Sequence, residues 1–240
     1  MNRTLTLAAL SLAFAASAQA DVLTQWNFNS VPPDASTNTG STAPSIGAGT
    51  ATLLGVTGTF ASGAAGIGSS DPATVDDSGW QTTSYPVQGV GSQTRGTQYL
   101  VSTVGFQDVS LSFDLRFSNT SSKFGTVLYT VNGTNWLNLN PAVLFSTASG
   151  DTWVNGTTVD FSNVAGVNNN ASFGVRIVST FQPSTSNYAP ATASNTYGSG
   201  GTWRFDMVTV SAAPIPEPGT WALMLAGLVG VGVLARRRQA

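Results

Sequence analysis

The chain contains no histidine and no cysteine, and it has few charged residues of either sign. Only 8% of its 240 residues are charged, whereas an average soluble domain carries about 25%. Without His or Cys, the chain cannot build a Ser-His-Asp or Cys-His catalytic site, a disulfide bond, or the common zinc, haem and iron–sulfur centres. Its one Glu is Glu217, so carboxylate chemistry before that position depends on Asp, and no cofactor is predicted.

Residues 1–20 have the pattern of a secretory signal peptide. One positive charge precedes a short stretch that is mostly Leu and Ala, and the stretch ends in small residues. Ala18 and Ala20 match the two small-residue positions of a signal peptidase site, which predicts cleavage before Asp21. The alternative interpretation is a buried N-terminal helix.

A second apolar segment lies near the C-terminus. The run from Trp221 to Ala235 is apolar or Gly throughout, and three Arg residues follow it. As a helix this run rises about 22 Å, against a hydrocarbon core of about 30 Å, so we expect one short transmembrane helix over residues 220–235. The positive-inside rule then orients Arg236, Arg237 and Arg238 toward the cytoplasm. The alternative is a core helix with exposed Arg residues.

The tail 213–240 resembles the PEP-CTERM sorting signal of Gram-negative bacteria. It has Pro216-Glu217-Pro218, a short apolar segment and a terminal Arg cluster in the order of that signal. The resemblance implies recognition by an exosortase, a membrane-embedded transpeptidase, with processing near the tripeptide and delivery to the cell surface or extracellular matrix. Ile215 stands where the family usually has Val. Glu217 then has a recognition role, whereas otherwise it is an exposed linker charge.

Residues 21–212 form an acidic body between the two ends. They contain ten Asp and five cationic residues, a net charge of −5, which disfavours binding to nucleic acid. About 190 residues are enough to bury one core, so we expect one domain. The body is rich in Gly, Ser, Thr and Asn and has almost no Lys or Glu, a composition that favours strands and turns over helices.

Alternating apolar and polar residues predict an all-β, antiparallel sandwich. The alternation is longest over residues 109–117, and Asn132-Gly133 between two apolar runs predicts a hairpin. The order of several short segments resembles the jelly-roll, concanavalin-like domains of related surface proteins. The clearest of these segments are Ser78-Gly79-Trp80 and Trp203-Arg204-Phe205-Asp206. This resemblance bears on the fold more than on the function.

Two groups of acidic residues are candidate sites. Asp76 and Asp77 are weak Ca²⁺ candidates, because carboxylates suit a hard cation, and the favoured alternative is an acidic turn before a strand. Asp71 could contribute, although its neighbours Ser70 and Pro72 are those of an ordinary turn. Within the predicted strands, Arg–Asp pairs at residues 114–116 and 204–206 share sheet faces. They predict a polar stripe of cross-strand ion pairs, which is either structural or part of a ligand-binding concavity.

Tryptophan suggests a carbohydrate-binding surface, because exposed aromatic faces stack on sugar rings. Trp136 follows the predicted hairpin and Trp153 lies near another turn, so these two are the candidate contacts. The alternative is that both are ordinary core or half-buried residues.

The leading hypothesis is a non-catalytic, exported surface or extracellular matrix protein that is first held at the inner membrane by its tail. Its expected partners are signal peptidase and an exosortase. The alternative is a carbohydrate-binding module for exopolysaccharide. An enzyme is disfavoured: Asp114 and Asp206 are the strand-borne carboxylates with the potential of a glycosidase pair, and pairing with Arg would keep both ionised.

Overall fold

The computed structural model describes residues 20–73, 75–216 and 218–237 of the chain. Within them, twelve strands form two antiparallel sheets that enclose one core, and a helix follows. This confirms the predicted antiparallel β-sandwich, whereas the narrower jelly-roll, concanavalin-like assignment stays a prediction. Most of the predicted signal peptide, with Ala18, lies outside the described residues, and Ala20 is exposed.

The elements follow one another with mostly short connections. They are β1 (Asp21–Trp26), β2 (Thr50–Leu54), β3 (Thr57–Ser62), β4 (Ser78–Thr83), β5 (Gly96–Val101), β6 (Phe106–Phe117), β7 (Phe124–Thr130), β8 (Leu137–Asn138), β9 (Leu144–Ser146), β10 (Thr152–Asp160), β11 (Phe173–Ser179), β12 (Trp203–Pro214) and α1 (Pro218–Arg237). The first sheet has the order β10-β6-β12-β4-β3, and β1 also pairs with β12. The second sheet has the order β2-β5-β11-β7-β8, and β9 also pairs with β7.

The closing strand β12 organises the first sheet. One of its edges pairs with β6 along most of its length. Its other edge is divided, because residues 203–205 pair with β4 and residues 208–212 pair with β1. The change of partner falls at residues 206–207 and leaves a gap in the sheet between β4 and β1.

The predicted alternation in β6 is present. Val109, Leu111, Phe113, Leu115 and Phe117 are all buried in the core. The hairpin predicted at Asn132-Gly133 also forms, since β7 pairs with β8. The connection between β7 and β8 is longer than a two-residue turn. Within it, the side chain of Asn132 accepts hydrogen bonds from the backbone N–H groups of Thr134 and Asn135.

Trp203 is the centre of an aromatic cluster between the two sheets. It is fully buried, and its indole Nε1 donates a hydrogen bond of 2.9 Å to the carbonyl of Ser122. Its ring centroid lies 5.3–6.1 Å from four other aromatic rings, those of Tyr85, Phe117, Phe145 and Phe205. Such a residue combines a large apolar area with a satisfied polar group, so it fixes both sheets at once.

Helix α1 covers the C-terminal apolar run. In the described part of the chain, no helix combines the length and the hydropathy that crossing a membrane requires. The transmembrane helix predicted over residues 220–235 is therefore not confirmed.

We expect Trp203→Ala to lower the free energy of unfolding by about 3–5 kcal/mol, because it removes a large side chain from a packed interior. Urea unfolding followed by fluorescence and circular dichroism measures the change. Trp136→Ala is the matched control, since Trp136 is only partly buried and its removal leaves no enclosed cavity. Equal losses for the two variants would contradict this account of the core.

Candidate functional site

Three carboxylates meet on the outer face of the first sheet, at the gap between β4 and β1. Asp206 belongs to β12, whereas Asp71 and Asp77 belong to the segment that connects β3 to β4. One carboxylate oxygen from each lies within 4.8 Å of the other two. We call these three residues the acidic cluster. It draws together residues that are 135 positions apart in the sequence.

A bulge in β12 positions Asp206. Trp203 and Phe205 face the core, so Asp206 faces the opposite side of the sheet by strand alternation. The register between β12 and β6 shifts after Asp206, and Met207 adopts a positive φ of 46°. The N–H of Met207 donates a 2.7 Å hydrogen bond to Oδ1 of Asp206. The bulge therefore fixes the carboxylate at the place where β12 changes its pairing partner.

Gly63 brings Asp77 against Asp206. Its N–H donates a 2.7 Å hydrogen bond to the backbone carbonyl of Asp77. A side chain at Gly63 would overlap Oδ1 of Asp77 and would lie 2.9 Å from Oδ2 of Asp206. The two carboxylate oxygens thus approach each other over residue 63, which can lie this close to them because it has no Cβ.

Asp71 completes the cluster from its more exposed side. Oδ2 of Asp71 accepts a 2.9 Å hydrogen bond from the side-chain amide of Asn29, and Oδ1 accepts one of 2.8 Å from the N–H of Ala73. The same Asn29 accepts a 2.8 Å hydrogen bond from the N–H of Ser78. Asn29 therefore holds Asp71 and the start of β4 in a fixed relation.

No cation neutralises the acidic cluster within the described residues. In the described part of the chain, an ion pair joins Nη2 of Arg116 to Oδ1 of Asp151 at 3.2 Å. It includes none of the three carboxylates. The guanidinium of Arg204 donates instead to the carbonyl of Ser62 and to the side-chain oxygen of Gln81, at 2.5 and 2.6 Å. Burial lowers the pKa of Arg204 to about 10.

Burial and the uncompensated negative charge raise the pKa of two carboxyl groups in the acidic cluster. Burial, together with the charge of Asp71, raises the pKa of Asp77 to about 6. Burial raises the pKa of Asp206 well above its ordinary value, and the charges of Asp71 and Asp77 add to this effect. Oδ1 of Asp77 and Oδ2 of Asp206 are buried and make no hydrogen bond with the part of the chain that the structure describes. Each therefore retains a free acceptor inside the protein.

The predicted stripe of Arg–Asp pairs between β6 and β12 does not form. The register sets Arg204 opposite Arg116 and Asp206 opposite Asp114, so residues of like charge face each other. Asp114 is instead satisfied by hydrogen bonds. Its Oδ2 accepts from the N–H and hydroxyl of Ser70 at 2.5 and 2.6 Å, and its Oδ1 accepts from the N–H of Gly156 at 2.7 Å.

The two predicted calcium candidates have different surroundings. Asp77 belongs to the acidic cluster. Asp76, at a positive φ of 61°, accepts backbone hydrogen bonds of 3.1 Å from Ser30 and 3.0 Å from Asp34. Its other oxygen accepts from the hydroxyl of Ser78 at 3.3 Å. Asp76 thus shapes the loop that follows β1, and Asp206 is the partner that the sequence pattern did not assign to Asp77.

The two predicted carbohydrate contacts also differ. Trp153 is only 3% exposed, so the prediction that its ring stacks on a sugar is wrong. Trp136 is partly exposed, and the guanidinium of Arg176 lies 3.9 Å from its ring centroid. Nε of Arg176 also donates a 2.9 Å hydrogen bond to Gln98. These three side chains form a small polar and aromatic patch on the outer face of the second sheet.

The sorting tail begins where the sandwich ends. The N–H of Ile215 donates a 2.9 Å hydrogen bond to the carbonyl of Gly105, and Pro216 is exposed. Helix α1 begins at Pro218, and Arg236 and Arg237 are exposed in its last turn. The predicted site residues Glu217 and Arg238 lie outside the described residues.

Comparison with known proteins identifies the tail. Residues 214–239 match the profile of a family described as PEP-CTERM protein-sorting motif. No protein with a curated description is significantly similar to the chain in sequence. Four solved chains match it in structure. One is the K1 cleaved adhesin domain of Lys-gingipain from Porphyromonas gingivalis W83, with 12% identity over 70% of this chain and 91% of that chain. Its TM-score of 0.33 is too low to establish a shared fold.

We expect the full-length chain, in a chelating buffer, to gain thermal stability as the pH falls from about 7 to 5. Asp77 has a pKa of about 6 in the folded chain against an ordinary 3.8, so between these values the folded state binds more protons than the unfolded state. The stabilisation is complete below the ordinary pKa and is lost as the pH rises through the folded pKa. Circular dichroism melting curves across this range measure it.

The double variant Asp77→Asn, Asp206→Asn tests this pH dependence. The single variant Asp108→Asn is its control. Asp108 is exposed and remote from the cluster's hydrogen bonds, and its positive φ of 54° suits Asn. The double variant should flatten the pH dependence, and the control should keep it. The same slope in the double variant and the wild type would contradict the assignment to the cluster.

Proposed function

We propose that the chain is a non-catalytic protein of the cell surface or extracellular matrix, whose C-terminal tail is recognised and cut by an exosortase. The match of residues 214–239 to the PEP-CTERM sorting motif carries this proposal, since that motif supports exosortase-dependent sorting of an exported protein. Removal of residues 1–20 by signal peptidase belongs to the same proposal.

The geometry of the tail supports cutting near Pro216-Glu217-Pro218. The last described backbone hydrogen bond of the sandwich is made by Ile215, immediately before the tripeptide. Proline has no N–H to donate to a sheet, so the exposed Pro216 cannot extend the pairing of β12 and separates the tail from it. A cut after this point leaves every pairing of β12 intact. The sandwich is then released as a complete folded domain.

The charge at the end of the tail supports membrane association before processing. Arg236 and Arg237 are exposed at the end of α1, where cations also interact favourably with the helix dipole. Clustered Arg residues bind the anionic cytoplasmic leaflet and resist export. We propose that they hold the precursor at the inner membrane until the exosortase acts.

The surroundings of the strand-borne carboxylates support a non-catalytic body. A glycosidase needs one carboxyl group that is accessible to donate a proton and a second that faces the substrate. Asp114 and Asp206 are both buried, at 1% and 0% exposure, and Asp114 also accepts hydrogen bonds from Ser70 and Gly156. Neither residue reaches a substrate in this arrangement.

Replacing Pro216, Glu217 and Pro218 by Ala, or deleting residues 236–238, should leave an unprocessed form in the membrane fraction. The first change removes the recognition sequence, and the second removes the charges that hold the tail. Expression in a bacterium with an exosortase, followed by fractionation and blotting for the body, measures the outcome.

Pro183→Ala is the matched control for the tail variants, because it changes an exposed proline outside the segment that matches the sorting motif. It should be processed like the wild type. Wild-type release of both tail variants would contradict the proposed processing.

A carbohydrate-binding role is the second candidate, and the patch around Trp136 favours it. An aromatic ring beside a guanidinium and an amide offers a stacking surface together with hydrogen-bond donors for sugar hydroxyls. Arg176 and Gln98 already hold each other in place at 2.9 Å, which lowers the entropic cost of binding. Exopolysaccharide is the proposed ligand class.

If the ring of Trp136 stacks on a sugar, Trp136→Ala should weaken binding of soluble exopolysaccharide at least tenfold, because the stacking contact is lost. A tenfold change in affinity corresponds to about 1.4 kcal/mol. Leu137→Ala is the matched control, since Leu137 is an exposed neighbour without an aromatic face. Affinity electrophoresis of the full-length chain measures both variants. The absence of wild-type binding, or equal binding by the two variants, would exclude the patch as a sugar site.

A further inference from the structure

We propose that Asp71, Asp77 and Asp206 form a calcium site that fastens the segment between β3 and β4 to the outer face of the first sheet. This site is independent of the sorting tail. It takes a hard divalent cation through carboxylate oxygens, and it differs from the Asp76–Asp77 pair that the sequence suggests.

The first argument is the uncompensated charge. Three carboxylates whose oxygens lie within 4.8 Å of one another repel each other when all are ionised. Arg204 is the cationic neighbour on the same strand as Asp206, and its guanidinium is engaged by Ser62 and Gln81. Within the described residues, no ion pair relieves the cluster. A bound cation would supply the missing charge.

The second, independent argument is the pair of free carboxylate oxygens. Asp206 is completely buried and Asp77 is 6% exposed, yet among the described residues no donor forms a hydrogen bond with Oδ2 of the first or Oδ1 of the second. Both oxygens pack against Gly63, at a place where a side chain would overlap Oδ1 of Asp77 and lie 2.9 Å from Oδ2 of Asp206. Buried acceptors normally have a partner. Two such acceptors aimed at one space indicate that the space is built for a ligand.

The chemistry favours calcium. Two Ca–O bonds of about 2.3–2.6 Å span up to about 5 Å, which covers the spacing of the three oxygens, whereas the shorter Mg–O bonds require a tighter and regular octahedron. Asp71 already accepts one hydrogen bond on each oxygen, but a carboxylate oxygen has a second lone pair for the cation. The amide of Asn29 would orient Asp71 as an outer partner of the site.

The site has a clear structural effect. The segment between β3 and β4 crosses the outer face of the sheet: Ser70 donates to Asp114 of β6, and Asn155 of β10 donates a 3.1 Å hydrogen bond to the carbonyl of Gly68. Calcium would join the middle and the end of this segment to β12 through Asp71 and Asp77. Extracellular calcium modules bind with a Kd of about 10⁻⁴–10⁻³ M, and we expect this range for an exported protein.

Titration calorimetry of the chelator-treated, full-length chain with CaCl₂ tests the proposal, together with melting curves. We expect saturable binding of one ion. At a calcium concentration ten times the Kd, the Tm should rise by about 3–6 °C, because the ion binds the folded state only. MgCl₂ should bind more weakly. No response to CaCl₂ in either measurement would overturn the site, and tighter binding of Mg²⁺ would overturn its assignment to calcium.

Asp206→Asn is the decisive variant, and Asp108→Asn is its charge-matched control. The first should lose the calcium response while its Tm without calcium stays equal to or above that of the wild type, because one repelling charge has gone. The control should respond like the wild type. An unchanged calcium response in Asp206→Asn would overturn the proposal.

Two further variants keep the test valid if Asp206→Asn fails to fold. Asp71→Asn changes the partly exposed carboxylate of the cluster and should weaken calcium binding at least tenfold. Gly63→Ala keeps all three carboxylates but places a methyl group beside the free oxygens, and it should also abolish the response. Wild-type calcium binding by both variants would overturn the site.

Discussion

The divided edge of β12 is the constraint on which the rest of the structure depends. A twelve-residue strand pairs with β6 on one side and must satisfy two shorter strands, β4 and β1, on the other. The two strands do not meet, so β12 carries a bulge between their pairing regions. That bulge aims Asp206 away from the core, and the connection between β3 and β4 folds over it. The acidic cluster is therefore a consequence of how the first sheet is closed.

The sequence predicted the features that depend on local alternation. The strand β6 could be predicted because five apolar residues at every second position define one buried face. That face does not depend on which strands pair with β6. The tail could be recognised for a similar reason. Its tripeptide, apolar run and Arg cluster follow one another directly in the sequence. Both features are properties of a single segment, and a single segment is what sequence patterns describe.

Features that depend on register were not predictable in this way. Arg116 and Asp114 share a face with Arg204 and Asp206, but a shift of two residues decides whether opposite or like charges meet. The structure pairs like with like. Asp71, Asp77 and Asp206 meet only after the sheet has closed, and the positive φ at Met207 has no sequence signature in a residue of that type. A nearby turn makes Trp153 a candidate surface residue in the sequence, yet β10 directs its ring inward.

The two ends of the sandwich lie side by side, since Asp21 pairs with Ala212 across β1 and β12. The predicted cut by signal peptidase and the proposed cut in the tail thus fall at one pole of the domain. At about 3.3 Å per residue, β12 places its first residue roughly 35 Å from that pole. The loops beside Trp203 therefore lie at the opposite end of β12 from both proposed cuts.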